Sequence, residues 1–566
     1  MSSKRGKNWT RIVNRLVLAM GLVVLAPWAV SAQAQEEETF LLLFPFFFED
    51  EANFSGYGLL NHSPDPVQIT IEGFDDAGQL IDFRENPAQE SLDSHNQVAL
   101  LGSELFGDEP TRELQGWIRM SSATPDLAGF FQLGNGLEGR QTRLDGALAF
   151  TEQSRVLFFT RVHEGPSSFP NFGLFGPKDA TTFLSIVNPN DEPITLTLNL
   201  LNLTGANMAQ TQEVELPAFG RLLDTVSGIF NQNLQVATAT VRVDVEGPGA
   251  VGFELIVVDD SVLALNASPG SGASTLYSAQ LASGLRENGG IFSSLKLVNT
   301  TQELKAVTLR AFSDEGVEFA SPVFVIQPGG SFQGPVHVLF PGVANPTSDR
   351  NLVVGSIVVE VEGGGVIGDV IFGDPGDNAT GTPEIINYAA ALPLQETLFT
   401  EALFLQVANG SLNPQDPDDP VQDLFTRLVL FNPNDEPADF TIKVFDSLGN
   451  LVGEASPPAL GPGERLDQLV EDLIPESADQ IGGFIQIEST QPLVGQEVVG
   501  NEALDYTSAL SPTVIEPTVT VVPDDPDDPD DRLDPVNRPD SVDRLDPVDR
   551  PDPVEPPIRG TSPRVR

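Results

Sequence analysis

The sequence predicts an all-β protein, a tandem array of four β-sandwich modules followed by a disordered, acidic, proline-rich C-terminal tail. Three observations lead there. A framework of three residues recurs four times at fixed offsets, apolar residues alternate with polar ones around that framework, and the pattern stops near residue 504, where Asp and Pro take over. The framework is an asparagine closing an apolar stretch (Asn61, Asn188, Asn299, Asn432), a threonine nine residues later (Thr70, Thr197, Thr308, Thr441) and a glycine seventeen residues past the asparagine (Gly78, Gly205, Gly316, Gly449). A period of roughly 110 to 130 residues is too long for solenoid or propeller units and marks like domains in series.

Residues 1–34 read as a secretory signal. Lys4, Arg5, Lys7, Arg11 and Arg15 precede an apolar run from Leu16 to Val30, and Ala32-Gln33-Ala34 supplies a small-x-small cleavage site. The run is broken by Pro27 and falls short of the roughly 20 residues that cross a bilayer, so cleavage before Gln35 is expected rather than anchoring.

Within each module the residues before the asparagine alternate, as in Tyr57 and Leu59, Leu184 and Ile186, Leu295 and Leu297, Leu428 and Leu430. A period of two is that of a half-buried strand. Turn chemistry follows, most plainly in Asn188-Pro189-Asn190-Asp191-Glu192-Pro193 and its near copy Asn432 to Pro437, and then a second strand carries the threonine on its wetter face. The recurring glycine suits the left-handed position that ends a short hairpin loop. Pro217, Pro328 and Pro462 mark a further turn, with no counterpart in the first module; a short apolar turn ends at Phe106, Phe230, Phe340 or Ile474, and two more strands close each module. The most apolar stretch, Leu41 to Phe48, has weaker counterparts ahead of the other asparagines, so it reads as an ordinary buried first strand rather than an exposed adhesive one. The modules are placed at residues 38–136, 153–260, 274–374 and 397–503, with linkers between them where the pattern lapses.

About seven strands in about 100 residues are the dimensions of an immunoglobulin-like sandwich. In its apolar strand, Asn-Pro turn, Thr-bearing strand and Asp-x-x-Gly hairpin, the chain resembles the immunoglobulin-like β-sandwich repeat domains of secreted bacterial proteins. The resemblance implies fold and habitat and brings no catalytic residues, and the Cys, Trp, Cys signature of true immunoglobulin domains is absent. With no cysteine, no disulfide staples a module, and each is expected to stand on its own core.

Residues 504–566 form the tail. Asp524-Asp525-Pro526-Asp527-Asp528-Pro529 leads into a duplicated segment, Asp531 to Val542 and Asp543 to Val554, too rich in proline and charge to build a ladder or a core. The formal charge is −51, and loss of the five basic residues of the signal takes it to −56. Such a surface repels nucleic acid and anionic membrane.

Catalytic signatures are missing. His62, His95, His163 and His337 fall in different contexts of the repeat and read as surface or loop residues, and no nucleophile elbow, phosphate loop or dinucleotide fingerprint occurs. Oxygen ligands for a hard cation cluster weakly at Asp374, Asp377 and Asn378 and at Asp416, Asp418 and Asp419, without EF-hand spacing. The reading is a non-enzymatic protein, secreted, extracellular or associated with the cell envelope, the periplasm included. It needs no cofactor, calcium being the one candidate, and has a structural, adhesive or binding role toward extracellular polysaccharide, a surface protein or its own copies. Two alternatives are an extracellular hydrolase with a carboxylate-based site in a divergent inter-module segment, and a calcium-dependent binding module.

Overall fold

Strand accounts for 62% of the described residues and helix for 4% in a computed structural model, so the protein is all-β, built of several antiparallel sheets as the alternation predicts. The structure describes residues 39–107, 114–136, 141–169, 178–258, 261–286, 289–319, 321–343, 352–374, 388–412, 419 and 421–515. Residues 1–34, read as a signal, and residues 516–566 lie outside this set.

Every repeat contributes two groups of strands. In the first, Phe40–Glu49, Leu114–Ser122, Val67–Phe74 and Ala88–Leu92 form one sheet, and Gln97–Leu101, Asn53–Asn61, Leu127–Asn135 and Leu144–Leu148 the other. The same order recurs in the later repeats, where a long shared strand joins the two groups in the second (Val156–Phe169), third (Thr275–Arg286) and fourth (Phe484–Asn501). Alternation places one face inward: Ile69 and Ile71, Leu196 and Leu198, Val307 and Leu309, and Phe440 and Ile442 are all buried. The apolar segment Leu41 to Phe48 is an internal strand as expected. It pairs antiparallel with Leu114–Ser122, with an irregularity between Phe44 and Phe47 that accommodates Pro45, and both of those rings are fully buried. Each ring so buried contributes about 1.5–3 kcal/mol.

The recurring asparagines are staples. All four are fully buried. In each, the side-chain amide donates to the carbonyl four residues ahead, at Asp65, Glu192, Glu303 or Glu436, and to carbonyls of the turn that comes about thirty residues later: Leu92 and Asp93, Pro217, Ile326 and Gln327, or Leu460 and Gly461. A buried amide with its donors satisfied ties two loops together, and no shorter polar side chain spans both.

Those later turns receive the glycine hairpin of the preceding repeat, and this closes the chain into a ring. The amide N–H of Arg221 donates to the carbonyl of Asp76 (3.0 Å), that of Ser331 to Leu203 (3.0 Å), that of Arg465 to Asp314 (3.1 Å), and that of Gln97 to Ser447 (2.9 Å). The first three contacts run from one repeat to the next; the fourth joins the last repeat to the first. At the centre, four inner strands meet in cyclic order: Leu144–Leu148, Ser261–Asn266, Tyr388–Pro393 and Thr507–Leu510.

Two expectations change. The segments read as linkers carry the first three inner strands, and Thr507–Leu510, read as the start of the tail, is the fourth. Nor does each repeat stand on its own core: Phe253 and Ala264 of the second repeat complete the core of the first, and separate apolar clusters span the junctions, with Ile256 and Leu263 against Phe292 and Ile371, Phe312 against Val429 and Phe431, and Leu60 and Phe130 against Leu403 and Phe484. The physical reason is that an inner strand is too short to show a period and is buried on both faces by its neighbours in the ring.

The hairpin glycines therefore have two duties. Gly205 has φ +80°, and a Cβ there would lie 2.2 Å from the carbonyl oxygen of Pro328 in the next repeat. Gly342 has φ +102° with nothing within 4 Å, so Gly342→Ala bears the backbone term alone, about 1–2 kcal/mol. Gly205→Ala is expected to cost about 2–4 kcal/mol, visible as a larger drop in the urea midpoint.

Candidate functional site

On the ring axis the four inner strands are edge strands of their sheets, and their outward N–H groups face one another instead of solvent. Buried unpaired edge groups are costly. Asp145 meets that need from within. Its side chain is fully buried, and Oδ2 accepts from the N–H of Ala264 (2.8 Å) in the second repeat and Ala391 (3.3 Å) in the third. The N–H groups of its neighbour Gly146 and of Ala509 in the fourth repeat also act on the carboxylate, although Oδ1 has no partner at full hydrogen-bond geometry. Gly146, Ala264, Ala391 and Ala509 occupy the same register position in the four repeats, and so do Asp145, Leu263, Ala390 and Ser508. One carboxylate thus serves all four repeats. Burial pushes its pKa well above the ordinary 3.8, against the lowering influence of those N–H groups.

Each junction has its own interior. Between the first and second repeats it is aromatic: Phe46 lies 5.7 Å from Phe253, and Trp117, stacked on Phe74, donates from Nε1 to the carbonyl of Phe219 (2.8 Å). Between the second and third it is ionic. Arg161 pairs with Asp369 and donates to the carbonyl of Ser294 (2.6 Å), Glu254 accepts from the backbone N–H of Arg161 (3.1 Å), and Lys296 donates to the carbonyl of Ala239 (2.5 Å). Burial raises the Glu254 carboxyl and lowers the Lys296 ammonium, and His163, beside them, is pushed down to about 3 by burial and by the charges of Lys296 and Arg161. Glutamine pairs serve the remaining two, Gln280 with Gln496 (2.9 Å) and Gln132 with Gln406 (3.1 Å). Such buried polar groups add little net stability, but a wrong neighbour would leave them unpaired, so they fix which repeat sits beside which.

A cleft of about 370 Å³ opens at the junction of the third and fourth repeats. Phe372, Phe425, Val354, Leu469 and Val498 line its apolar part; Arg427, Asp467, Glu502 and Thr507 are among its polar groups. Asp467 is held between two guanidinium groups, accepting from Nη1 of Arg427 (2.6 Å) and Nη2 of Arg465 (2.9 Å), and the fully buried Arg465 also reaches Asp314 (2.8 Å) and the carbonyl of Ala279 (2.7 Å). Burial alone would raise the Asp467 carboxyl, but the two arginines outweigh it and hold it below the ordinary 3.8. The strand registers place Arg427, Arg465 and Asp467 opposite Gly56, Gln97 and Ala99 in the first repeat, Phe183, Arg221 and Leu223 in the second, and Ser294, Ser331 and Gln333 in the third. Only the fourth repeat carries charge at all three positions.

The residues singled out in the sequence are not brought together. Asp374 is the buried last residue of a strand, and Asp419 accepts from the N–H of Val421 (3.1 Å), an ordinary turn contact. Asp377, Asn378, Asp416 and Asp418 lie outside the described residues. Among the described residues no group of three or more His, Asp or Glu side chains is placed to hold a metal. His163 is fully buried in the ionic junction rather than at the surface, its Nδ1 facing the carbonyl of Ala237 (2.7 Å); its strand crosses a junction that no spacing rule reveals. Asp145 falls between repeats, where the framework spacing carries no signal. The signal that marks its strand is a small residue followed by an apolar one after each repeat: Gly146-Ala147, Ala264-Leu265, Ala391-Leu392 and Ala509-Leu510.

Among the described residues no helix is long and apolar enough to cross a membrane. No family model matches the chain, and no curated protein is similar to it in sequence.

Proposed function

We propose that the protein is a secreted, non-enzymatic array of four immunoglobulin-like β-sandwich modules with a structural, adhesive or binding role at the cell surface or outside the cell, its acidic tail a solvated spacer. The carrying observation is that the residues the repeat keeps are engaged in construction: the asparagines staple turns and the glycines dock hairpins into the next repeat. Asp467, the most enclosed acid of the cleft, supports binding over hydrolysis, because a glycosidase acid needs a raised pKa and this carboxyl is held down by two arginines. The charge of −51 and the Ala32-Gln33-Ala34 site support export.

The test is to express the full chain in a bacterial host, fractionate the cells and determine the N-terminus by mass spectrometry. The expected result is a protein beginning at Gln35 outside the cytoplasm, with no turnover of polysaccharide, peptide or ester substrates. Retention of the first 34 residues in a cytoplasmic product, or reproducible hydrolysis by the purified protein, would overturn the reading.

A further inference from the structure

The cleft between the third and fourth repeats differs from its three counterparts in a way that packing does not require. At the matching positions the other repeats carry small, apolar or amide side chains, or in the second a single guanidinium, Arg221, that pairs with the neighbouring hairpin residue Asp76 (2.7 Å). In the fourth, Arg465 does that same work with Asp314. Arg427 and Asp467 are additional to it. Asp467 bonds to both arginines, while Arg427 gives only Nη1 to Asp467 and remains 39% exposed, so its other N–H donors face the opening. Deeper in the cleft the hydroxyl of Thr507 is buried without a hydrogen-bond partner, on a residue only 3% exposed. A buried hydroxyl without a partner calls for one, and at the wall of a cleft an entering group can supply it.

The chemistry of the occupant follows from what the walls offer. Arg427 donates, Glu502 accepts, and the Thr507 hydroxyl does either. Phe425 and Phe372 supply apolar surface for a ring's C–H face. The two arginines of the cleft are offset by Asp467 and Asp314, Glu502 leaves an excess of negative charge, and the whole chain is at −51. An anion gains little in such a field. A neutral molecule whose hydroxyls both donate and accept, with one apolar face, satisfies every group. We propose that this cleft is a binding site for a short neutral saccharide, with Arg427 and Thr507 as its hydrogen-bonding anchors and Phe425 as its stacking surface. The volume suits a ligand of one or two sugar rings, small against the usual range of about 300–1,000 Å³ for ligand sites. The proposal rests on the reading of the protein as an extracellular binding protein and names the class of its partner.

The test is saturation-transfer NMR on the full mature protein with cellobiose, maltose and lactose as probes, and butyrate as the anionic comparison. The expected result is transfer to at least one disaccharide with a Kd of about 1 mM or tighter. It should weaken at least tenfold, by about 1.4 kcal/mol, in both Arg427→Ala and Thr507→Val, with an unchanged urea midpoint in the half-exposed Arg427 variant. Arg310→Ala, on the outer sheet of the third repeat, should bind as the parent does. Absence of transfer to all three disaccharides, equal binding in the Arg427 variant, or Arg427-dependent binding of butyrate alone would overturn the proposal. None of those outcomes bears on export, which the N-terminal measurement decides separately.

Discussion

Replacing Asp145 with alanine is expected to lower the stability of the ring by about 3–5 kcal/mol, more than any surface change in the molecule. The substitution removes the acceptor shared by the N–H groups of Ala264 and Ala391, and each buried donor left unpaired costs about 1–3 kcal/mol. Loss of the weaker influence of the Gly146 and Ala509 N–H groups adds to this. Asp145→Asn keeps an accepting oxygen and should cost less. The group also has a pH signature. Burial raises its pKa above 3.8, so the folded state holds the proton more tightly than the unfolded chain does. Its contribution is therefore full below 3.8 and is lost as pH rises through the folded value; Glu497, raised above 4.5 by burial at the junction of the fourth and first repeats, acts in the same sense. The difference in urea midpoint between the parent and Asp145→Asn should shrink as pH rises above 3.8; His163, held down to about 3, acts in the opposite sense up to 6.5 but equally in both proteins, so it cancels in the comparison. Asp467 and Glu318, whose pKa values are lowered, oppose this only below their own ordinary values of 3.8 and 4.5. An alanine variant as stable as the parent would show that the inner strands do not depend on the axial carboxylate.

The second large effect concerns closure. Independent modules in series would survive removal of one, and any shared function would decline by degrees. A ring does not behave so. A chain truncated after Gln395 loses the fourth repeat and uncovers two separate apolar faces, Phe312, Val358, Phe372 and Leu392 on the third repeat and Leu60, Ala128 and Phe130 on the first. Faces of that kind on a soluble chain drive association. Light scattering coupled to size exclusion is expected to show oligomers or aggregate for the truncated protein and a monomer-sized ring for the parent. A truncated chain that stays monomeric and unfolds cooperatively would return the repeats to independence.

The two predictions mark how much could be read from residues alone. Alternation before Asn61, Asn188, Asn299 and Asn432 gave the strands, because a sheet with one buried face writes a period of two into the chain. The asparagines and glycines gave the turns, since amide side chains and left-handed backbone have few substitutes there. The acidic charge is likewise a property of composition. What those residues touch was not legible. The Asn432 amide reaches carbonyls about thirty residues away, and Gly316 fits beneath the carbonyl oxygen of Pro462 in the following repeat, 2.6 Å from where a Cβ would stand.

The cleft was less legible still. Arg427 stands about forty residues from Arg465 and Asp467, on a second strand of the same sheet, and the walls that make them a site, Phe372 and Val354, come from another repeat. Sequence by itself determined that the chain is all-β, fourfold repetitive, acidic and built on asparagine-closed turns, because each of those properties is local and is imposed on every repeat alike. Tertiary structure alone decided that the repeats close on themselves, that Asp145 lies on the axis and that one junction keeps an open polar cleft. Those depend on contacts between residues hundreds of positions apart, where packing and unpaired hydrogen bonds act and periodicity carries no signal.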